Sequence, residues 1–267
     1  MSSALARSRK TRAAPELLCE HLFRPLAHFV VVLLLPFRVP PPLVAAASGA
    51  TGIVAAVELV QGRFLIAAVL IQLKTVLDNA DGQLARLSGR ITAFGRYLDS
   101  ELDLFVNAAL FTAVGLSTGL PVLATVGFLA LTTALSVNYN AERLYRAERG
   151  EDASAMPETT GRSDGLLRGL YLLLYAPQDR LVERFVAHRL RAAGRQARLA
   201  YHDRATVLVL ANLGMSTQLL VFGFCVAFGR PATFAWVALA ELVLVLSLAL
   251  RRELAIRSVP QLKEESL

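Results

Sequence analysis

Apolar residues run along this chain in blocks rather than in the narrow stripes of soluble helices or the alternation of half-buried strands. Six blocks reach the roughly 20 mostly apolar residues that let a helix, rising about 1.5 Å per residue, cross a bilayer core. They lie near residues 42–60, 64–86, 94–117, 121–142, 204–228 and 232–250. A shorter run from Pro25 to Phe37 holds only about 13 residues, too few to span, and is closed by Pro36 and by Pro40 to Pro42. It predicts a helix lying in the interface or dipping part-way into the bilayer. The charged lead before it is long and no small-residue cleavage site precedes the next block, which predicts that the run is retained rather than removed as a signal peptide. The pattern therefore predicts an all-α integral membrane protein with six transmembrane helices and an N-terminal interfacial helix. Residues 1–41 form the N-terminal segment and 42–254 the six-helix domain, with a long cytoplasmic connection at about 147–202; residues 255–267 are a cytoplasmic tail. Within the connection, the apolar decapeptide Leu166 to Tyr175 is too short to span and is expected as a helix on the cytoplasmic face.

Composition agrees: 55% of the 267 residues are hydrophobic and the mean hydropathy is +0.49, which argues against a water-soluble globular domain. The chain carries 28 basic against 21 acidic residues, a formal charge of +7, and their placement explains the excess. The N-terminal segment, the turn after the second span, the long connection and the C-terminal tail together hold 25 of the basic residues, whereas the opposite side holds only Arg63 and Arg230. Short basic loops stay in the cytoplasm, so the active site and both termini are expected there, in an integral membrane protein of the plasma or inner membrane if the source is bacterial. This topological use of charge leaves no call for a nucleic-acid partner. Cys19 and Cys225 are too far apart in the chain to form a zinc motif or a disulfide framework and read as small apolar residues.

The informative segment runs from Asp78 to Asp103, DNADGQLARLSGRITAFGRYLDSELD. A carboxylate at the centre of a membrane helix costs about 2.5–3.5 kcal/mol on insertion scales, less towards the interface, so several together need a reason. On the second span Asp78, Asp81, Gly82, Ala85 and Arg86 fall at offsets 0, 3, 4, 7 and 8, one face of a helix. On the third span Gly95, Asp99 and Asp103 recur every four residues, and Asn107 continues that face one turn deeper. A short basic loop makes the two helices antiparallel neighbours, so four carboxylates are expected to converge. Such a cluster needs cations, and oxygen-only ligands suit Mg²⁺ or Mn²⁺. Four Asp match two ions about 3.5–4 Å apart, the arrangement that clamps a phosphoryl group. Gly82 and Ala85 leave a bare patch where a base or ribose approaches the backbone, and Arg86 offers two donors to a phosphate. Lys74, one turn before Asp78, is placed to snorkel or to balance the site.

At these residues the chain resembles the CDP-alcohol phosphatidyltransferases, whose signature is D-x2-D-G-x2-A-R-x8-G-x3-D-x3-D. Asp78, Asp81, Gly82, Ala85, Arg86, Gly95, Asp99 and Asp103 meet every fixed position and spacing. The resemblance implies a binuclear Mg²⁺ or Mn²⁺ site on Asp78, Asp81, Asp99 and Asp103, with Asp103 as general base. It implies CDP held by Gly82, Ala85, Arg86 and Gly95, and a homodimer. The implied activity in phospholipid biosynthesis is transfer of a phosphatidyl group from a CDP-linked lipid, of the CDP-diacylglycerol kind, to the hydroxyl of a small polar acceptor such as inositol phosphate or glycerol phosphate, with release of CMP. The reversed polarity, in which a choline- or ethanolamine-type CDP-alcohol gives its head group to diacylglycerol, stays open.

Other classes fit less of the pattern. Charge pairing with Lys74, Arg86, Arg90 and Arg96, or the cation path of a transporter, accounts for acidic residues in spans but does not require Gly, Ala and Arg at fixed offsets. An intramembrane prenyltransferase shares the D-x-x-D element but uses two Asp-rich motifs well apart and more spans. A non-catalytic scaffold would bear the acidic site as pure cost. Arg143, Arg146 and Arg204 stand where the positive-inside rule puts basic residues, at the cytoplasmic ends of the fourth and fifth spans, and are the candidates for holding an acceptor phosphate. His21, His28, His188 and His202 show no ligand spacing, and Trp236 reads as a packing or belt residue.

Overall fold

A computed structural model describes residues 12–151, 169 and 176–258, and these are helical, with no strand among them. The decapeptide Leu166 to Tyr175 lies outside the described residues. The elements are α1 (Arg24–Leu34), α2 (Pro41–Val60), α3 (Phe64–Leu87), α4 (Ala93–Thr118), α5 (Pro121–Ala147), α6 (Ala176–Arg189), α7 (Arg195–Tyr201), α8 (Arg204–Ala211), α9 (Met215–Ala227) and α10 (Ala232–Ser258). Proline lies in the first turn of α1, α2 and α5, where its missing N–H is no loss and its fixed φ favours entry into the helix. The turn between α4 and α5 is made by Gly119 at φ +68°, a left-handed conformation that glycine adopts without steric cost.

Among the described residues, five stretches have the length and composition to cross a membrane: Cys19–Phe37, Pro41–Val60, Pro121–Ala147, Arg195–Ala227 and Ala232–Arg257. Helices α3 and α4 have the length, at 24 and 26 residues, but carry ionisable groups in the halves next to the turn that joins them. The N-terminal apolar run is longer than the sequence pattern suggests. A π-helical turn, Cys19–Phe23, precedes α1 and a 3₁₀ turn, Leu35–Phe37, follows it, giving 19 helical residues.

The block at 204–228 is not one helix: it breaks at Asn212–Gly214 into α8 and α9. The N-terminal chain fills the break. Buried Glu16 accepts from the backbone N–H of Thr217 at 2.9 Å and from its hydroxyl at 3.1 Å, capping the first turn of α9, and pairs with Arg12 at 3.0 Å. The Leu17 N–H donates to Asn212 Oδ1 at 2.9 Å. A Cβ at Gly214 would stand 2.6 Å from the Glu16 carboxyl, so only glycine admits it. A carboxylate at a helix N-terminus is favourable because it meets unpaired N–H groups and the positive end of the dipole. Local hydropathy could not show this, since the partner lies 201 residues away.

Packing sets the depth at which the polar groups sit. Helix α2 packs against both α3 and α4, α1 and α9 cover α3, and α10 lies along α5. The centre is aromatic: Phe222 and Phe234 stack at 4.6 Å, and Phe111 lies 6.2 Å from Phe222 and 5.7 Å from Phe234. Where lipid is as apolar as leucine, helices are held by close backbone approach and polar contacts rather than by apolar burial. Gly127 serves this on α5: an added Cβ would lie 2.8 Å from Ala235 Cβ and 2.9 Å from its Cα. Towards the C-terminal end of α5, Asn140 Nδ2 and Ser136 Oγ donate to Asp179 of α6 at 2.7 and 3.1 Å.

Gly127→Ala should lower the unfolding free energy in detergent by about 1–3 kcal/mol through forced separation of α5 and α10. Leu246→Ala, on the exposed face of α10, should change it by less than about 0.5 kcal/mol. Thermal or denaturant unfolding of the two purified variants checks the contrast.

Candidate active site

The site is built from the adjoining ends of α3 and α4. The connection between them spans only residues 88–92, and Thr92 starts α4 by accepting the Gly95 N–H on its side-chain oxygen at 3.1 Å. From the far side, Ser48 of α2 donates to the Lys74 carbonyl at 3.1 Å. With the two helices so fixed, Asp78, Asp99 and Asp103 each present a carboxylate oxygen within 4.8 Å of the others, all half-buried. These donors are hard oxygens only, and their spacing fits the coordination shell of a small divalent cation. The residues present therefore fit the kind of ion expected from the sequence.

Asp81 is buried but stands outside this group of three. Three residues advance a helix by about 300°, which turns Asp81 roughly 60° away from Asp78, while the charges of Asp78 and Asp103 still bear on it. The structure thus places three carboxylates together and the fourth beside them.

Lys74 pairs with two carboxylates of the cluster. It is 2% exposed, and its ammonium donates to Asp78 Oδ1 at 2.8 Å and to Asp103 Oδ1. It therefore ties α3 to α4 through a carboxylate of each. Of its two sequence readings, snorkelling and balancing the site, the structure shows the second.

The remaining signature positions form the rim. A Cβ on Gly82 would lie 3.3 Å from both terminal nitrogens of Arg86, so the guanidinium folds over Gly82 and uses the space of its missing side chain. Ala85 is half-buried on the same helix. Gly95 lies in the first turn of α4, its N–H committed to Thr92.

Two positions that the signature leaves free are structural ties. Asn79 donates to the Thr75 carbonyl at 2.9 Å and to Ser216 Oγ at 3.2 Å, and accepts from the Cys19 thiol at 3.2 Å, joining α3 to α9 and the N-terminal turn. Gln83 donates at 3.0 Å to the Arg24 carbonyl. Arg24 itself is buried, pairs with Glu20 at 2.5 Å and carries a charge that bears on Arg86. A polar residue inside an apolar block is the only trace these ties leave in the sequence, and it does not name the partner.

The three candidate acceptor arginines are separately engaged or exposed. Arg143 donates to Asn140 Oδ1 at 3.0 Å and pairs with Glu183 of α6. Arg146 pairs with Glu151 at 3.2 Å. Arg204, at the start of α8, is exposed.

Helices long and apolar enough to cross a membrane, with a cluster of three carboxylates that could hold a cation, describe the class of this protein. Residues 38–163, which hold all eight signature positions, match the family model of the CDP-alcohol phosphatidyltransferases. Among similar proteins is the bifunctional IPC transferase and DIPP synthase of Archaeoglobus fulgidus, 37% identical over 86 residues, which are 32% of this chain and 17% of that protein. The protein of the same name from Thermococcus kodakarensis is 32% identical over 103 residues, 37% of this chain and 24% of the relative. The archaetidylinositol phosphate synthase of Pyrococcus horikoshii is 32% identical over 94 residues, 35% of this chain and 49% of the relative. The chain thus spans between 17% and 49% of the length of these three relatives.

Proposed function

We propose that this protein transfers a phosphatidyl-type group from a CDP-linked lipid to the hydroxyl of inositol phosphate and releases CMP. The observation that carries the reading is the meeting of Asp78, Asp99 and Asp103 within 4.8 Å at signature positions of the matched domain. The acceptor class is supported by the relative named archaetidylinositol phosphate synthase. Asp78, Asp81, Asp99 and Asp103 would hold two Mg²⁺ or Mn²⁺ ions, which supply charge stabilisation to a diphosphate under attack. Gly82, Ala85, Arg86 and Gly95 form the face for the cytidine diphosphate. Asp103 takes the proton of the acceptor hydroxyl; its oxygen attacks the phosphorus that bears the lipid, and the bond from that phosphorus to the bridging oxygen breaks so that CMP leaves. Lipid tails stay in the bilayer while the head group reaches the helix ends. Arg143, Arg146 and Arg204 receive the phosphate of the acceptor, with Glu183 giving up Arg143 when it arrives.

The topology that serves this reading has six spans: α2, α3, α4, α5, α8 with α9, and α10. The stretch Cys19–Phe37 lies along the cytoplasmic interface, and both termini and the carboxylates are cytoplasmic. The distribution of Lys and Arg supports this orientation. The functional unit is a homodimer, as the family resemblance implies.

Asp78→Asn, Asp99→Asn and Asp103→Asn should each lower CMP release on the order of 100-fold or more while leaving membrane insertion intact. Chelation should abolish wild-type activity and Mg²⁺ or Mn²⁺ should restore it. Near-normal turnover in all three variants would sink the site, and near-normal turnover in the Asp103 variant alone would remove the base. Replacing Arg143, Arg146 and Arg204 by Gln should raise KM for inositol phosphate several-fold with little change in KM for the CDP-lipid, as loss of an acceptor contact requires. For topology, cysteines at Gln61 and Ser117 should react with an impermeant thiol reagent added outside intact cells and one at Ala187 should not; the reverse pattern would overturn the orientation.

A further inference from the structure

Lys74 is out of keeping with a site that exists only to collect divalent cations. A lysine at the rim of a membrane protein ordinarily extends its charge to water along a flexible stem. This one is buried, and its ammonium is hydrogen-bonded to one carboxylate on its own helix and to another on the neighbouring one. The bond from Ser48 to the Lys74 carbonyl fixes the turn of α3 from which the side chain springs. Asp78 and Asp103 are two of the three residues whose oxygens come within 4.8 Å of one another. The ammonium therefore stands on two of the carboxylates that a bound divalent ion would need.

We propose that Lys74 is a resident counter-cation that competes with divalent ions for Asp78 and Asp103, so that metal is held weakly until an anionic diphosphate joins it. The proposal rests on the metal reading given above and assigns a positioning role to a residue outside the signature. Two physical points carry it. A Mg²⁺-sized ion takes its oxygens at about 2.0–2.1 Å in a near-octahedral shell, so an oxygen shared with the ammonium must turn or release it. A positive charge a few ångströms from a divalent ion also repels it, and at effective dielectric constants near 20 the repulsion exceeds tenfold in affinity. With the diphosphate present the balance reverses. Four ionised aspartates and two divalent ions are formally neutral, and Lys74 leaves such a site one charge positive, which favours an anion. The same ammonium, in the absence of metal, keeps like-charged carboxylates from driving α3 and α4 apart.

The test uses the full chain purified in detergent at one fixed pH, with Mn²⁺ as the metal probe and CDP as the diphosphate probe. Mn²⁺ binding is measured by electron paramagnetic resonance with and without CDP, for wild type, Lys74→Met, Lys74→Gln and Lys74→Arg. Without CDP the two uncharged variants should bind Mn²⁺ at least tenfold more tightly than wild type, and the gain in affinity that CDP brings should shrink. Lys74→Arg, which keeps the charge, should stay within about threefold of wild type. In chelator the Lys74→Met protein should melt below wild type and recover when Mn²⁺ is added, which a merely structural role would not produce. Lys74→Gln retains hydrogen bonding to the carboxylates and carries the comparison if the methionine variant does not fold. Uncharged variants that bind Mn²⁺ no more tightly than wild type, while wild-type transfer still requires metal, overturn the role of Lys74 alone. A wild-type protein that binds no Mn²⁺ with or without CDP overturns the metal reading and this inference together.

Discussion

Everything about this bundle answers to the cost of placing several carboxylates side by side near hydrocarbon. Each ionised group gives up hydration, and each repels the others at distances where water screens little. The chain meets that cost with opposite charge inside the cluster, through Lys74 on Asp78 and Asp103, and with rigid backbone around it. Helices are suited to this task because every interior N–H and C=O is satisfied within its own segment, so the hydrogen-bonding capacity of side chains is free for the site.

Rigidity comes from ties that would be weak in a soluble protein. Asn79 links three segments, and Gln83 links two, through positions that the signature motif leaves open. The clustered carboxylates and the anchoring residues thus alternate along the same stretch of α3, one face presenting carboxylates and the others holding the helix in register. Close backbone approach, as at Gly127 against Ala235, sets how near the outer helices come and so how much lipid is excluded from the centre.

The sequence makes the helical elements and the acidic faces legible because both are periodic. The starts of α2, α3, α4, α5 and α10 fall within a residue of the apolar blocks, since proline and loop residues punctuate them. The helical repeat also puts Asp99 and Asp103 on one face and joins Asp78 to it across a short turn. It does not tell that Asp81, at an offset of three, stands aside from the group. Nor does it tell that Lys74 reaches a carboxylate 29 residues on, or that Arg143 is matched by Glu183, because both depend on how separate helices pack. The break between α8 and α9 escapes for the same reason: Asn212 and Gly214 are too few to interrupt a hydropathy window, and the carboxylate that stabilises the break comes from the beginning of the chain.

That carboxylate carries a consequence for the order in which the protein is made. Glu16 leaves the ribosome 201 residues ahead of its partner, Thr217, which is synthesised after α2 through α8. The N-terminal segment must therefore wait at the membrane surface until α9 has entered, and only then close over it. The α3–α4 hairpin, with Lys74 already on its own strand of chain beside Asp78, needs no such wait to offset part of its charge. Biogenesis thus has an early electrostatic step that is local and a late latch that is not, and a ribosome stalled before residue 217 would hold a chain with an acidic hairpin but an unlatched N-terminus.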